Sequence, residues 1–178
     1  MPTIYTIGHS TRTIEDFIAL LQAHQIKLLF DVRAFPMSRR LPHFNREAMQ
    51  SSLQAGGIAY RWMPALGGRR KKLLPKEQSP NVALRVDAFR NYADYMLTPE
   101  FRAAIGEVIA PAEQQRVTIM CAEAVYFRCH RMIVSDWLVL HGHEVLHIQD
   151  AKTPRPHKPT AEARLVGDDV HYRGDILF

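Results

Sequence analysis

Short β-branched and aromatic runs alternate along this chain with stretches whose apolar residues recur at helical spacing. Thr3 to Ile7 reads as a strand, and Ile14, Phe17, Ile18 and Leu21 follow as one helical face. Thr13 and Asp16 are placed to cap that helix reciprocally. Lys27 to Val32 is a second strand. Asn45 is placed to cap a helix from Arg46 to Ala55, which Gly56-Gly57 stops before a third strand at Ile58 to Met63. Ala88 to Leu97 carries Phe89, Tyr92, Tyr95 and Met96 on one stripe, and Thr98-Pro99-Glu100 opens a helix running to Ile109. Val117 to Cys121 is wholly apolar apart from Thr118, as expected of a strand covered on both faces. Arg131 to His141 is a helix closed by Gly142, and Glu144 to Ile148 is a further strand. The alternation predicts an α/β fold: a three-layer α/β/α, Rossmann-like arrangement with a largely parallel sheet of about five strands.

With 178 residues and 47% apolar side chains, the chain can bury a core without disulfides or metal. Residues 1–150 read as a single α/β domain, and residues 151–178 as a Pro-rich, polar tail packed on it. The tail contains one candidate hairpin, Ala163 to Val166 against Val170 to Arg173, turning around Asp168-Asp169. Two cysteines are too few for a secreted disulfide framework, and in a reducing compartment both are free thiols. No apolar run approaches the roughly 20 residues of a membrane span, and no secretory leader is evident. The expectation is a cytoplasmic protein without a membrane partner; oligomeric state has no sequence signal.

The net charge of +5 is unevenly spread. Val32 to Lys76 holds ten basic residues and one acid, Glu47, so this segment is +9 and the remainder is −4. Such a segment favours anionic partners and phosphate contacts. Its densest part, Gly67-Gly68-Arg69-Arg70-Lys71-Lys72, reads as an exposed loop, with a merely solvated charge run as the plain alternative.

In a parallel sheet, ligands collect beyond the carboxyl ends of the strands. Those ends here carry His9 and Ser10, Asp31 and Arg33, Cys121 and Glu123, with Ser38, Arg39 and Arg40 following the second strand. After Cys121 comes Arg128-Cys129-His130-Arg131 at a helix start. There the unpaired N–H groups and the neighbouring positive side chains would lower a thiol pKa. Cys129 is therefore a candidate nucleophile, redox sensor or metal ligand, with inert packing as the bland reading for both thiols.

The spacing tests three chemistries. A cysteine-phosphatase loop needs five residues between Cys and Arg, whereas Cys121 and Arg128 have six between them and no glycine. A zinc site would need His9 or His147 to complete the Cys121, Cys129 and His130 set, so none is assigned. Spaced glycines of the Walker or dinucleotide type are absent, so no cofactor is named.

Taken together, Thr6-Ile-Gly-His-Ser10, Asp31-Val-Arg33 with Pro36, Ser38 and Arg39, Pro64-x-Leu-Gly-Gly68, Tyr92-Ala-x-Tyr-Met96, and Cys121-Ala-Glu123 to Cys129-His-Arg131 resemble the bacterial and archaeal domain-of-unknown-function family 488. The resemblance runs from Thr3 to Ile148 and implies a single α/β/α domain. It implies no activity.

The first functional expectation is an enzyme acting on a nucleotide or nucleic-acid substrate. Its catalytic candidates are His9, Asp31, Glu123, Cys129 and, second to it, Cys121. Ser10, Arg33, Ser38, Arg39, Arg128, His130 and Arg131 are its substrate-binding candidates. The second is a noncatalytic nucleic-acid-binding module using Arg40, Arg69, Arg70, Lys71 and Lys72, with aromatic support from Phe44 and Trp62. A third is a small-anion-binding or redox-sensing protein.

Overall fold

The strands after the first residue or two are buried on both faces, so alternate side chains must find partners in two separate layers. The computed structural model describes residues 1–174. Its elements are β1 (Thr3–Gly8), α1 (Ile14–Ala23), β2 (Leu28–Asp31), α2 (Arg46–Ala55), β3 (Ala59–Trp62), α3 (Asp87–Tyr95), α4 (Pro99–Ala112), β4 (Val117–Cys121), α5 (Arg131–Leu140), β5 (Glu144–Ile148), β6 (Arg155–Pro156), β7 (Ala163–Val166) and β8 (Asp169–Tyr172). β1 to β5 are parallel, β6 joins β5 antiparallel, and the sheet order is β3-β2-β4-β1-β5-β6. This is the expected three-layer α/β/α fold, with one edge strand more than the apolar runs announced.

One face of the sheet presents Tyr5, Ile7, Leu29 and Met120 to Phe17, Leu21, Met49 and Leu53 of α1 and α2. The other presents Ile4, Leu28, Phe30 and Ile119 to Tyr92, Phe101, Ile105, Val134 and Leu138 of α3, α4 and α5. Each such buried apolar side chain contributes about 1.5–3 kcal/mol relative to exposure. Among the described residues no helix is long and apolar enough to cross a membrane.

The local signals that are satisfied within a few residues behave as expected. Thr13 Oγ1 accepts from Asp16 N at 3.1 Å and Thr98 Oγ1 from Phe101 N at 3.3 Å, starting α1 and α4. Asn45 does not cap α2: its Oδ1 instead accepts from Ser38 N at 2.6 Å, closing the loop that follows β2. In the tail, β7 pairs with β8 one residue earlier than expected, because Gly167 at φ +63° takes the left-handed position and the turn is Gly167-Asp168. The tail is also part of the core, for Ala163, Val170 and Tyr172 pack into the α3–α5 layer.

β1 leads to α1 on one face, while its neighbour β4 leads to α5 on the other. Their outgoing loops diverge and open a crevice at the carboxyl ends of β1, β2 and β4.

Candidate active site

At the mouth of that crevice the loops after β1 and β4 are joined by backbone. His9 N donates to Cys121 O at 2.9 Å and Ser10 N to Ala122 O at 3.0 Å. The approach requires glycine at position 8, since a Cβ there would lie 1.7 Å from the Glu123 carbonyl oxygen. Ser10, at φ +52°, holds a left-handed conformation uncommon outside glycine. A cavity of about 510 Å³ results, with His9, Ser10, Arg33, Ser38, Arg40 and Glu123 among its walls. A second compartment of about 270 Å³ shares Arg33, Phe35 and Glu123 with it and reaches Arg69, Cys121, Cys129 and His130.

Arg33 enters the crevice pre-aimed. The fully buried Asp31 accepts from Arg33 Nε at 2.9 Å, from NH2 at 2.6 Å and from the Arg33 backbone N at 3.1 Å, and also takes the Tyr60 hydroxyl proton. Burial and the Asp31 carboxylate push the Tyr60 hydroxyl pKa up, which keeps it a donor. This two-point grip leaves the Arg33 NH1 edge facing the cavity, 3.5 Å from His9 Nε2. His9 Nδ1 lies 2.8 Å from the Ser10 carbonyl and must donate to it, so Nε2 of the neutral ring is an acceptor. Burial lowers the His9 pKa to about 4, and the ring stacks on Phe44 with centroids 4.1 Å apart.

The two thiols meet across the loop. Cys121 Sγ and Cys129 Sγ are 3.1 Å apart, and Cys129 Sγ also accepts from Arg131 N and Arg131 Nε, each at 3.4 Å. The Cys129 pKa is pushed well down by the hydrogen bond from Cys121, with His130 and the Arg131 charge adding to it; that same bond and burial push Cys121 up. With two N–H donors from Arg131 on its sulfur, Cys129 is the better placed of the two to be a thiolate, with Cys121 as its S–H donor. His130, 9% exposed, has no hydrogen-bond partner for Nε2, although its ring borders the second compartment. Its ring also demands glycine at position 68, where a Cβ would stand 2.5 Å from His130 Nδ1.

Of the expected site residues, His9, Ser10, Arg33, Ser38, Arg40, Arg69, Cys121, Glu123, Cys129 and His130 line this joined crevice. Asp31 lies beneath it as the anchor of Arg33. Arg131 is not at the surface: it is 1% exposed, donating to Thr6 Oγ1 at 3.2 Å, to Glu123 O at 2.6 Å and to Cys129. Arg39 and Arg128 are exposed but border neither compartment, as are Lys71 and Lys72. Arg70 is tied down, stacked 3.8 Å from the Tyr95 ring centroid and donating to Gly67 O and Pro64 O. Phe44 cannot offer a stacking face, because it is fully buried between His9 and Phe17. Trp62 is half-buried, with its indole N–H on Arg33 O and Arg46 over its ring.

Sequence reading overlooked Phe35 and Met37, exposed apolar side chains on the cavity wall, 68% and 78% accessible. It also overlooked Tyr60, Asp136, His157 and Tyr172, and did not foresee the buried polar set that the last three form with Thr6 and His147. Among the described residues, no group of three or more His, Cys, Asp and Glu side chains is arranged to hold a metal ion.

The fold and the crevice define a three-layer α/β/α protein with a paired-thiol site at the carboxyl edge of a parallel sheet. The family model Domain of unknown function DUF488 matches residues 13–138, and the chain belongs to that family. No curated protein and no solved structure matches the chain significantly.

Proposed function

We propose that this protein is a thiol-dependent enzyme acting on an anionic, phosphate-bearing substrate of the nucleotide or nucleic-acid class, with Cys129 as its nucleophile. The observation that carries the reading is the burial of the Arg131 guanidinium. Among the described residues no carboxylate lies within ion-pair distance of it, and the Cys129 sulfur accepts from both its Nε and its backbone N. A buried cation without a counter-charge is strongly unfavourable, and the Cys129 thiolate supplies one.

In the proposed reaction the Cys129 sulfur bonds to an electrophilic centre of the substrate and displaces a leaving group, which takes a proton from Glu123. Water then cleaves the adduct, giving its proton to His9 Nε2 and returning the thiolate, and passage of that proton from His9 to Glu123 restores both groups. The Arg33 NH1 edge, Arg40 and Arg69 receive the phosphate, and exposed Phe35 offers a flat apolar face to a base. The 3.1 Å thiol pair favours a second reading, thiol–disulfide redox chemistry.

Alkylation by iodoacetamide, followed across pH and located by peptide mass spectrometry, tests the nucleophile. Cys129 is expected to react with a midpoint well below that of a free thiol, about 8.5, and nucleotides are expected to protect it. A midpoint at the free-thiol value would overturn the proposal. A panel of nucleotides and modified nucleic acids, assayed with Cys129→Ser as control, separates the enzyme from the redox reading. Cys129-dependent turnover without oxidant supports the enzyme.

A further inference from the structure

The buried Arg131 is also the first member of a hydrogen-bonded chain that runs through the sheet to the C-terminal tail. Arg131 NH1 donates to Thr6 Oγ1 at 3.2 Å, and Thr6 Oγ1 lies 2.6 Å from His147 Nδ1. His147 Nε2 lies 2.8 Å from His157 Nδ1, and His157 Nε2 lies 2.7 Å from Asp136 Oδ1. Asp136 further accepts from Thr160 N at 2.9 Å and from the Tyr172 hydroxyl at 2.7 Å. Thr6, Asp136, His147 and Tyr172 are 1% exposed or less, and His157 is 7% exposed.

With a neutral His157, every bond direction in this chain follows from its Asp136 end. Asp136 is an acceptor, so His157 Nε2 carries a proton and Nδ1 of the neutral ring accepts. His147 Nε2 therefore donates to it, leaving His147 Nδ1 to accept the Thr6 hydroxyl proton, while the Thr6 oxygen accepts from Arg131. Burial keeps His147 neutral by lowering its pKa to about 3, as this pattern requires. Tyr126 of the loop carrying Cys129 stacks on His147 with centroids 3.7 Å apart, so the same chain also seats that loop.

We infer that Thr6, His147, His157 and Asp136 are positioning residues that hold the Arg131 guanidinium on the Cys129 sulfur, making the C-terminal tail a working part of the thiol site. The inference rests on the thiolate reading of Cys129. The ionisable groups facing that sulfur are Cys121 from β4, His130 and Arg131 at the start of α5, and Tyr92 from α3. Only Arg131 among them is tied to the chain, through Thr6. Cutting the chain leaves Arg131 NH1 or a histidine nitrogen without a partner in the interior, and the guanidinium, held then chiefly by the Glu123 carbonyl, is less firmly kept on the sulfur. Thr6 and the His147, His157 and Tyr172 partners all lie outside the residues matched by the family model, 13–138.

The test is the pH profile of Cys129 alkylation in the full chain. His157→Leu and Thr6→Val are expected to raise the midpoint by about one unit, so that reaction at pH values below both midpoints slows about tenfold. The rate at high pH, where the thiol is fully ionised, is expected to stay unchanged. His157→Gln, whose amide can accept from His147 and donate to Asp136, is expected to restore the wild-type midpoint. Tyr172→Phe, which removes one hydroxyl only, provides a milder break should the others fail to fold, with a smaller upward shift expected. Folded Thr6→Val or His157→Leu protein with the wild-type midpoint would overturn the inference, as would an unshifted Tyr172→Phe where only that variant folds. Equal shifts in His157→Leu and His157→Gln would overturn it in favour of packing. A wild-type midpoint at the free-thiol value would instead defeat the nucleophile itself.

Discussion

Replacing Asp31 by Ala is the sharpest perturbation of the crevice that leaves its thiols untouched. Asp31 is fully buried and Arg33 is 8% exposed, and the carboxylate accepts four hydrogen bonds, three from Arg33 and one from Tyr60. Removing one partner of such a pair strands the other charge in the interior, at a cost of about 3–5 kcal/mol. For a domain of this size each kcal/mol lowers the melting temperature by about 2–4 °C, so that of Asp31→Ala is expected to fall by roughly 6–20 °C. Tyr60→Phe removes one donor only and should cost about 0.5–1.5 kcal/mol. The decisive comparison is the double variant Asp31→Leu, Arg33→Met. It removes both charges at similar volume and should recover most of the lost stability, because an apolar pair can match a buried ion pair. Thermal unfolding followed by circular dichroism, with urea midpoints as a second measure, reads all three. The double variant should nevertheless lose the protection of Cys129 by nucleotides, since Arg33 is gone. A loss below about 1 kcal/mol in Asp31→Ala, or a double variant no better than the single, would refute the argument that Asp31 exists to hold a buried Arg33.

Gly8→Ala should destabilise by about 1–3 kcal/mol or more, because its Cβ meets the Glu123 carbonyl that also receives Arg131; denaturant titration measures it. Cys121→Ala should raise the midpoint of Cys129 alkylation, since the Cys121 hydrogen bond is the largest cause lowering the Cys129 pKa; an unmoved midpoint would assign that effect to His130 and Arg131. An organic hydroperoxide should convert the pair to a Cys121–Cys129 disulfide. The Cys129 thiolate takes the terminal oxygen to become a sulfenic acid as the alcohol leaves, and Cys121 then displaces water; peptide mapping before and after dithiothreitol detects it. His9 and His147 have folded pKa values of about 4 and 3 against 6.5 unfolded, so only the unfolded chain binds their protons on mild acidification. The stability they hold is whole above pH 6.5 and is lost as pH falls through those folded values, and urea midpoints should drop between neutral pH and about 4. His9→Gln should flatten that drop.

The layers of this protein and the ends of its strands were legible in its residues one stretch at a time. Thr13, Thr98 and the 3.6-residue and two-residue apolar periods act within a few positions, so α1, α4, β4 and β5 stand where their local patterns place them. A parallel sheet then brings its strand ends to one edge, which is why His9, Arg33, Glu123 and Cys129 could be placed together before their distances were known. What local pattern could not decide was which polar group each of these would satisfy. Asn45 had a capping position and served Ser38 instead; Phe44 had an aromatic face and was closed in by His9 and Phe17. Arg131 looked like a surface phosphate ligand, and the fold buried it against the Cys129 sulfur. Thr6 and His147 are 141 positions apart, and His157 belongs to a tail whose composition signalled turns and one hairpin beyond it. Their pairing follows from strand order and from the cost of leaving a donor or acceptor unmatched in a low-dielectric interior, a condition set by the whole fold and by no single segment of the chain.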